Sequence, residues 1–558
     1  MARYNPLKVC CCILLVLICA VALICLCIAT FADVGCPTGS FKNAAVAADS
    51  QICSEIGKNM LQQGGSAVDG AIAALLCTSV INPQSMGIGG GSILAVRNKT
   101  GKVTIYNFRE TVPKKFKSNL LNDCPTTFRL STGSQWIGVP GELRGYEAVH
   151  KLYGRLPWAK LFEPTIKLAR EGIPMPPYLA TFLSANIVKD HVEKSSLCEV
   201  LCNMNKTVLG KKDILRFPKL AETMEIIAKQ GADAFYVGKI GQDLIQDIKA
   251  AGGSLTMDDL KSFKVRVIDA QTVSLGNVQM HFPPPPAGGI LLAFILRIMK
   301  GFSLTSDSLV GDKKIQLYHH YIEAAKFANR QKRNIRDPTF NVEKSADYLI
   351  DPTFSDNIRA LITSNGTHDD SYYSNKPSTD HMGTTHVSVL DEDGLAVSAT
   401  STINQLFGGA VYSPRTGIIL NNELADFCGR ADSLSAGEQP PSSMTPAILD
   451  TKSGGILVIG GSGGSMITTA VALSIINRLW LGMSLKGAIE APIIFVDSKN
   501  FVNFEPGFDK SVMDGIKTLG HNIGNWRFFL NVVNAVEKEN GCIQAVSDRR
   551  KNGMSAGY

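Results

Sequence analysis

Thr384 follows Gly383 and opens a short alternating run, Thr385 to Leu390. The acidic turn Asp391-Glu392-Asp393-Gly394 comes next, then a second alternating run, Leu395 to Thr400. Period-two runs either side of an Asp-Gly turn predict a β-hairpin. Thr384 then stands at the end of a rigid strand, behind a flexible glycine. A threonine there can serve as a nucleophile if the chain is cut before it, because its own α-amine then acts as base. Taken alone, the pattern favours an ordinary edge-strand threonine, since threonine favours strands, and it is the surrounding residues that reverse this.

A second candidate element follows in the same half. Ile456 to Ile459 runs into Gly460-Gly461-Ser462-Gly463-Gly464-Ser465, and a helix is expected from Ile467 to about Trp480. Strand, glycine loop and helix aim backbone N–H groups and a helix N-terminus at negative charge. No Gly-Lys-Ser/Thr follows, so a carboxylate or an oxyanion is the expected tenant rather than a phosphate. The earlier loop Met86 to Ser92 has the opposite polarity, with a helix before it and a strand after it, which excludes dinucleotide binding there.

The elements that must position these groups come from a chain of 558 residues, 45% hydrophobic and 19% charged. That composition supports a large core and excludes wholesale disorder. The net charge is +7, and no basic block is interleaved with aromatics, so nucleic acid is excluded as a partner. Arg330-Gln331-Lys332-Arg333 reads as a solvated helix end. Ser50 and Ser66 read as caps of two successive helices, and Ile290 to Met299 as a buried helix too short to span a membrane. Ser364 to Asp380 is a polar linker ending just before Thr384. Asn540-Gly541 marks a further hairpin.

From Val9 to Ala32 no residue is charged, a stretch of 24 residues. It is long enough to cross a bilayer as a helix. Arg3 and Lys8 precede it, which keeps that side in the cytoplasm. The expected arrangement is a cytoplasmic tail, 1–8, a transmembrane anchor, 9–32, and the bulk outside the cell as a type II protein of the plasma membrane. A long cleaved signal peptide is the alternative. Of the 14 cysteines, six lie in the apolar run, where Cys10, Cys11 and Cys12 could be acylated. The other eight are Cys36, Cys53, Cys77, Cys124, Cys198, Cys202, Cys428 and Cys542, free to form disulfides in an oxidising compartment. No histidine or cysteine set has metal-ligand spacing, so no metal or other cofactor is expected. Three glycosylation acceptors, Asn98, Asn205 and Asn365, fit an outside location.

Several segments resemble one family when taken together. They are Asn107-Phe108-Arg109-Glu110, Val139-Pro140-Gly141-Glu142, Met382-Gly383-Thr384-Thr385-His386, Ser401-Thr402-Ile403-Asn404, Asn421-Asn422-Glu423-Leu424-Ala425-Asp426-Phe427, Ser442-Ser443-Met444-Thr445-Pro446, the Gly463-Gly464 loop and Ser547-Asp548-Arg549-Arg550-Lys551. This set, in this order, resembles the γ-glutamyltransferases, or glutathione hydrolases. Val411 to Leu424 looks most like the type-5 vertebrate branch, associated with leukotriene C4 cleavage.

The resemblance implies an α+β fold, the N-terminal nucleophile hydrolase αββα sandwich, in which the precursor cuts itself between Gly383 and Thr384. A large subunit, 33–383, and a small catalytic subunit, 384–558, would then stay together as a heterodimer. Thr384 would be the nucleophile, Thr402 its hydrogen-bond partner, and Gly463 and Gly464 the oxyanion donors. Arg109 would grip the substrate α-carboxylate with Ser442 and Ser443, while Glu423, Asp426 and Asn404 receive the α-ammonium. Substrates would be glutathione, its conjugates and leukotriene C4, with water, amino acids or dipeptides as acceptors. Cys53 with Cys77, and Cys198 with Cys202, match the family's disulfides.

Some residues depart from that pattern. Met382 and Thr385 replace smaller residues, and Leu406 replaces an aromatic. The lid-like segment from Cys428 to Pro441 is short and divergent. His386 is read as a strand residue rather than a base. The rival readings are another amidase of this fold, such as an acylase, and an inactive surface scaffold.

Overall fold

The computed structural model describes residues 18, 20, 36–125, 132–343, 345–373, 380, 382–526 and 532–558. All but Ile18 and Ala20 of the expected anchor, and residues 374–379 of the expected linker together with 381, lie outside the described residues. Among the described residues no helix is long and apolar enough to cross a membrane.

Residues 41–558 form one compact unit around two antiparallel sheets. The first runs Ala556–Gly557, Ala45–Ala47, Thr385–Leu390, Ala396–Thr402, Gly91–Arg97, Val103–Asn107, Arg266–Asp269. The second runs Cys542–Val546, Val532–Glu539, Ile456–Ser462, Ala447–Thr451, Val278–Phe282, Gln271–Ser274. The hairpin expected at Asp391–Gly394 sits centrally in the first sheet, pairing Ser388 with Ser398 and Thr385 with Ser401.

Small residues let the two sheets approach closely. The Ser398 hydroxyl donates to the Ile459 carbonyl, and the Ser388 hydroxyl to the Asn534 carbonyl. A Cβ on Gly460 would lie 2.2 Å from the His386 ring, so only glycine fits there. His386 is fully buried between Thr400 and Ser388 hydroxyls, and burial lowers its imidazole to about 3. It is a neutral strand residue.

Helices cover both outer faces, giving four layers. Gln51–Gln62 and Ala67–Ile81 lie on the first sheet. Ser66 caps the second of these in a capping box with Asp69, worth about 1 kcal/mol. Ser50 occupies the N-cap of the first, but its side chain makes no capping bond. On the other side Gly289–Lys300 and Ile467–Leu479 pack near the second sheet. Ala67–Ile81 is buried along its whole length, which is why it is apolar all round. Disulfides join Cys53 to Cys77, Cys198 to Cys202, and Cys124 to Cys428. The last pairing was left open in the sequence and spans 304 residues.

Candidate active site

Thr384 lies at the junction between the linker and the central hairpin, 4% exposed. Its φ is +86°, a genuine outlier for a β-branched residue. Such a conformation costs on the order of 1–3 kcal/mol and persists only where surroundings impose it. Those surroundings are specific. The Thr384 amide donates to the Ser85 carbonyl at 3.2 Å. Its carbonyl accepts from Lys551 Nζ at 2.6 Å, and Lys551 is itself held by Asp49 at 2.9 Å and Ser462 at 2.9 Å. Gly383 packs so tightly that a Cβ would sit 1.9 Å from the Asn404 carbonyl oxygen.

The Thr384 hydroxyl donates to the Thr402 hydroxyl at 3.3 Å, across the mouth of the hairpin. Thr402 Oγ1 also accepts from the Asn404 amide at 2.8 Å, which fixes its orientation. The glycine loop closes the other side. Gly463, with φ +116°, donates its amide to the Gly383 carbonyl at 2.9 Å. An attack on that carbonyl would place the developing negative charge on an oxygen already bound to a preorganised donor. Gly464 lines the same pocket.

Arg109 follows the strand Val103–Asn107, and Gln439 braces it by donating to its backbone carbonyl and to Asn107 Oδ1. Its guanidinium is fully buried and almost wholly engaged. Nε donates to the Pro440 carbonyl, Nη2 to Asp426 at 2.6 Å and to the Pro441 carbonyl, and Nη1 lies 2.6 Å from Glu423. Glu423 and Asp426 share one face of the 3₁₀ turn Glu423–Phe427. Burial pushes the Glu423 carboxyl up to about 8, against the pull of Arg109. Burial and the facing Glu423 push Glu110 well above the ordinary carboxylate range.

One pocket is lined by Thr384, Thr402, Asn404, Arg109, Glu423, Asp426, Ser442, Ser443 and Gly464, which the sequence singled out. Met444, Ser465 and Ile467 also line it, as do two cations that the sequence did not assign to a site, Lys332 and Arg430. The reading of Lys332 as part of a solvated helix end is therefore corrected. The helix Asp312–Gln331 stops one residue earlier, and the following 3₁₀ turn directs Lys332 to the cleft. Leu406 is buried in the core. Asn205 and Asn365 are exposed at turns, and Asn98 is half-buried.

One group of possible metal ligands occurs among the described residues, His319, Glu323 and His521. Its atoms are already engaged. His319 and His521 bond each other at 2.8 Å, His319 also bonds the Thr363 carbonyl, and Glu323 accepts from Thr367 and Tyr373. The Lys326 ammonium contacts His521 and Glu323, occupying the place of a cation. The group is a structural polar network. Sequence spacing missed it because His521 is remote in the chain.

Residues 53–558 match the family model for gamma-glutamyltranspeptidase. The chain belongs to the gamma-glutamyltranspeptidase family. It is 48% identical to the rat protein named glutathione hydrolase 5 proenzyme over 538 residues, 94% of each chain. Against the human protein of the same name it is 47% identical over 552 residues, again 94% of each. A crystal structure titled cephalosporin acylase from Bacillus halodurans shares the fold, with a TM-score of 0.82 and 23% identity over 93% of this chain and 96% of that one. The four-layer architecture is that of the N-terminal nucleophile hydrolases, and membership of the family makes the chain an enzyme of the hydrolase and acyltransferase kind.

Proposed function

We propose that the chain is a precursor that cleaves itself between Gly383 and Thr384 and then hydrolyses or transfers γ-glutamyl groups. Its substrates are glutathione and glutathione S-conjugates, leukotriene C4 among them. The observation that carries this reading is the convergence at one peptide bond. The Gly463 amide is bound to the Gly383 carbonyl oxygen, and the Thr384 hydroxyl, the nucleophile, opens onto the same pocket as the Arg109–Glu423–Asp426 cluster.

In maturation, Thr384 Oγ1 attacks the Gly383 carbonyl carbon, and the C–N bond to Thr384 breaks. The strained φ of Thr384 is relieved as that peptide bond is lost. The ester left between Gly383 and Oγ1 takes up water, freeing the Gly383 carboxylate and the Thr384 hydroxyl. The new α-amine, with a pKa of about 8, can then accept the hydroxyl proton near neutrality.

In turnover, the substrate's γ-carbonyl takes the place of Gly383. Its α-carboxylate meets Arg109, Ser442 and Ser443, and its α-ammonium meets Glu423, Asp426 and the Asn404 side chain. Oγ1 displaces the amine of cysteinylglycine or of its S-conjugate, leaving a γ-glutamyl ester on Thr384. Water releases glutamate, and an amino acid or dipeptide amine instead takes the γ-glutamyl group. Each oxyanion rests on Gly463 and Gly464, and removing one such donor costs about 3 kcal/mol of barrier elsewhere.

Two subunits, 33–383 and 384–558, remain associated as a heterodimer. The anchor at 9–32 places this unit on the outer face of the plasma membrane, where Asn98, Asn205 and Asn365 are accessible to glycosylation. Purified ectodomain incubated with glutathione should release glutamate and cysteinylglycine, and the Thr384→Ala protein should release neither. Equal release by both proteins would sink the proposal.

A further inference from the structure

Almost every cation around the segment from Cys428 to Pro441 has an anionic partner. Arg109 is matched by Glu423 and Asp426, Arg333 by Asp432, Arg336 by Glu438, and Arg266 by Asp337. Arg430 and Lys332 are the exceptions. Neither has a carboxylate within ion-pair distance among the described residues, yet both line the pocket of Thr384. Arg430 is only 6% exposed, its Nε has no acceptor, and the one hydrogen bond of its guanidinium is a long 3.5 Å contact from Nη2 to the Lys332 carbonyl. A buried guanidinium left this way is costly unless something anionic completes it.

Charge counting points to the class of anion. The pocket holds three cations, Arg109, Lys332 and Arg430, against the carboxylates of Glu423 and Asp426. A γ-glutamyl α-zwitterion adds no net charge, so positive charge remains once it is bound. Burial lowers the Arg430 guanidinium to about 10, with Arg109 and Arg336 adding to the effect against the pull of Asp426. Burial also lowers Lys332, opposed first by Asp380. Asp380 stands three residues before Gly383, in the segment whose end a cut would free.

We propose that Arg430, with Lys332 beside it, forms a second anion subsite in this cleft, which takes the carboxylate ending the departing cysteinylglycine of glutathione. The proposal rests on the γ-glutamyl reading above and extends it from the acyl half of the substrate to its leaving half. The guanidinium offers that carboxylate two N–H groups in a planar fork, and Lys332 adds a point charge. Substrates that end in a carboxylate are thereby selected over neutral ones.

The test compares glutathione with its C-terminal amide as substrates for cleaved wild-type protein, Arg430→Gln and Arg430→Lys. Wild type should favour the carboxylate at least tenfold in kcat/KM, mainly through KM. Arg430→Gln should bring that preference to within twofold, and Arg430→Lys should keep most of it. Continued turnover of the amide by Arg430→Gln reports a folded, cleaved enzyme. A wild-type enzyme indifferent to the amide overturns the subsite, as does an Arg430→Gln enzyme that keeps the preference or loses both substrates equally. Wild-type turnover of neither peptide sinks the γ-glutamyl reading itself, and this subsite with it.

Discussion

The Lys551 ammonium donates to the carbonyl of Thr384 at 2.6 Å, tying the last turn of the chain to the residue that opens the central hairpin. Lys551 is 4% exposed and paired with Asp49, which also accepts from Thr385 and Asn534. The network holds Thr384 from behind while Gly463 holds the carbonyl in front of it.

Lys551→Met should therefore slow cleavage before Thr384 at least tenfold. It should also destabilise the protein by about 3–5 kcal/mol, because Asp49 is left buried without its cation. The uncut fraction over time on a denaturing gel, with the melting temperature beside it, checks both. Wild-type cleavage kinetics would show that this ammonium does not position the bond.

Arg109→Lys keeps the charge but loses the fork that reaches two carbonyls and two carboxylates. Cleavage at Thr384 should survive, while kcat/KM for a γ-glutamyl anilide should fall at least 100-fold. A change under threefold would remove Arg109 from substrate recognition.

The Cys124–Cys428 disulfide crosses the proposed cut, since Cys124 precedes Thr384 and Cys428 follows it. The two fragments should co-migrate on a non-reducing gel and separate after reduction. Cys428 follows the turn that carries Glu423 and Asp426, so Cys428→Ser should raise KM as well as lower stability by about 2–5 kcal/mol. Fragments that separate without reductant would contradict the pairing.

Glu142 is fully buried and accepts from Ser92, Tyr146 and Ser401. Burial raises its carboxyl from the ordinary 4.5 to about 7. Between those values the unfolded chain releases a proton that the folded chain keeps. Stability should thus fall as pH rises from 4.5 to 7, by about 3 kcal/mol for this group, and level off above. Glu142→Gln should flatten that part of the profile, whatever its absolute stability. An unchanged slope in denaturant titrations across this window would assign the pH dependence elsewhere.

Local chemistry was legible in the sequence where it follows short-range rules. The Asp391–Gly394 and Asn540-Gly541 turns, the Ser66 cap and the glycine loop before Ile467 all declare themselves within a few residues. The pocket set of Thr384, Thr402, Arg109, Glu423 and Asp426 came from the order of motifs, since nothing local says that Arg109 meets a turn more than 300 residues later. Lys332 and Arg430 were missed for a related reason. A lysine after a helix looks solvated in any sequence, and only the packing of the Cys428–Pro441 segment turns it inward. Ser50 sits at an N-cap as its type suggests, but position alone does not fix a side-chain bond.

The central claim is that Thr384 becomes an N-terminus. Ectodomain secreted from a eukaryotic host, as wild type and as Thr384→Ala, should be separated under reducing conditions and the smaller fragment sequenced from its amino end. The account predicts a wild-type fragment beginning Thr384-Thr385-His386 and a single uncut Thr384→Ala chain. An uncut wild-type chain, or a fragment beginning at any other residue, would contradict it.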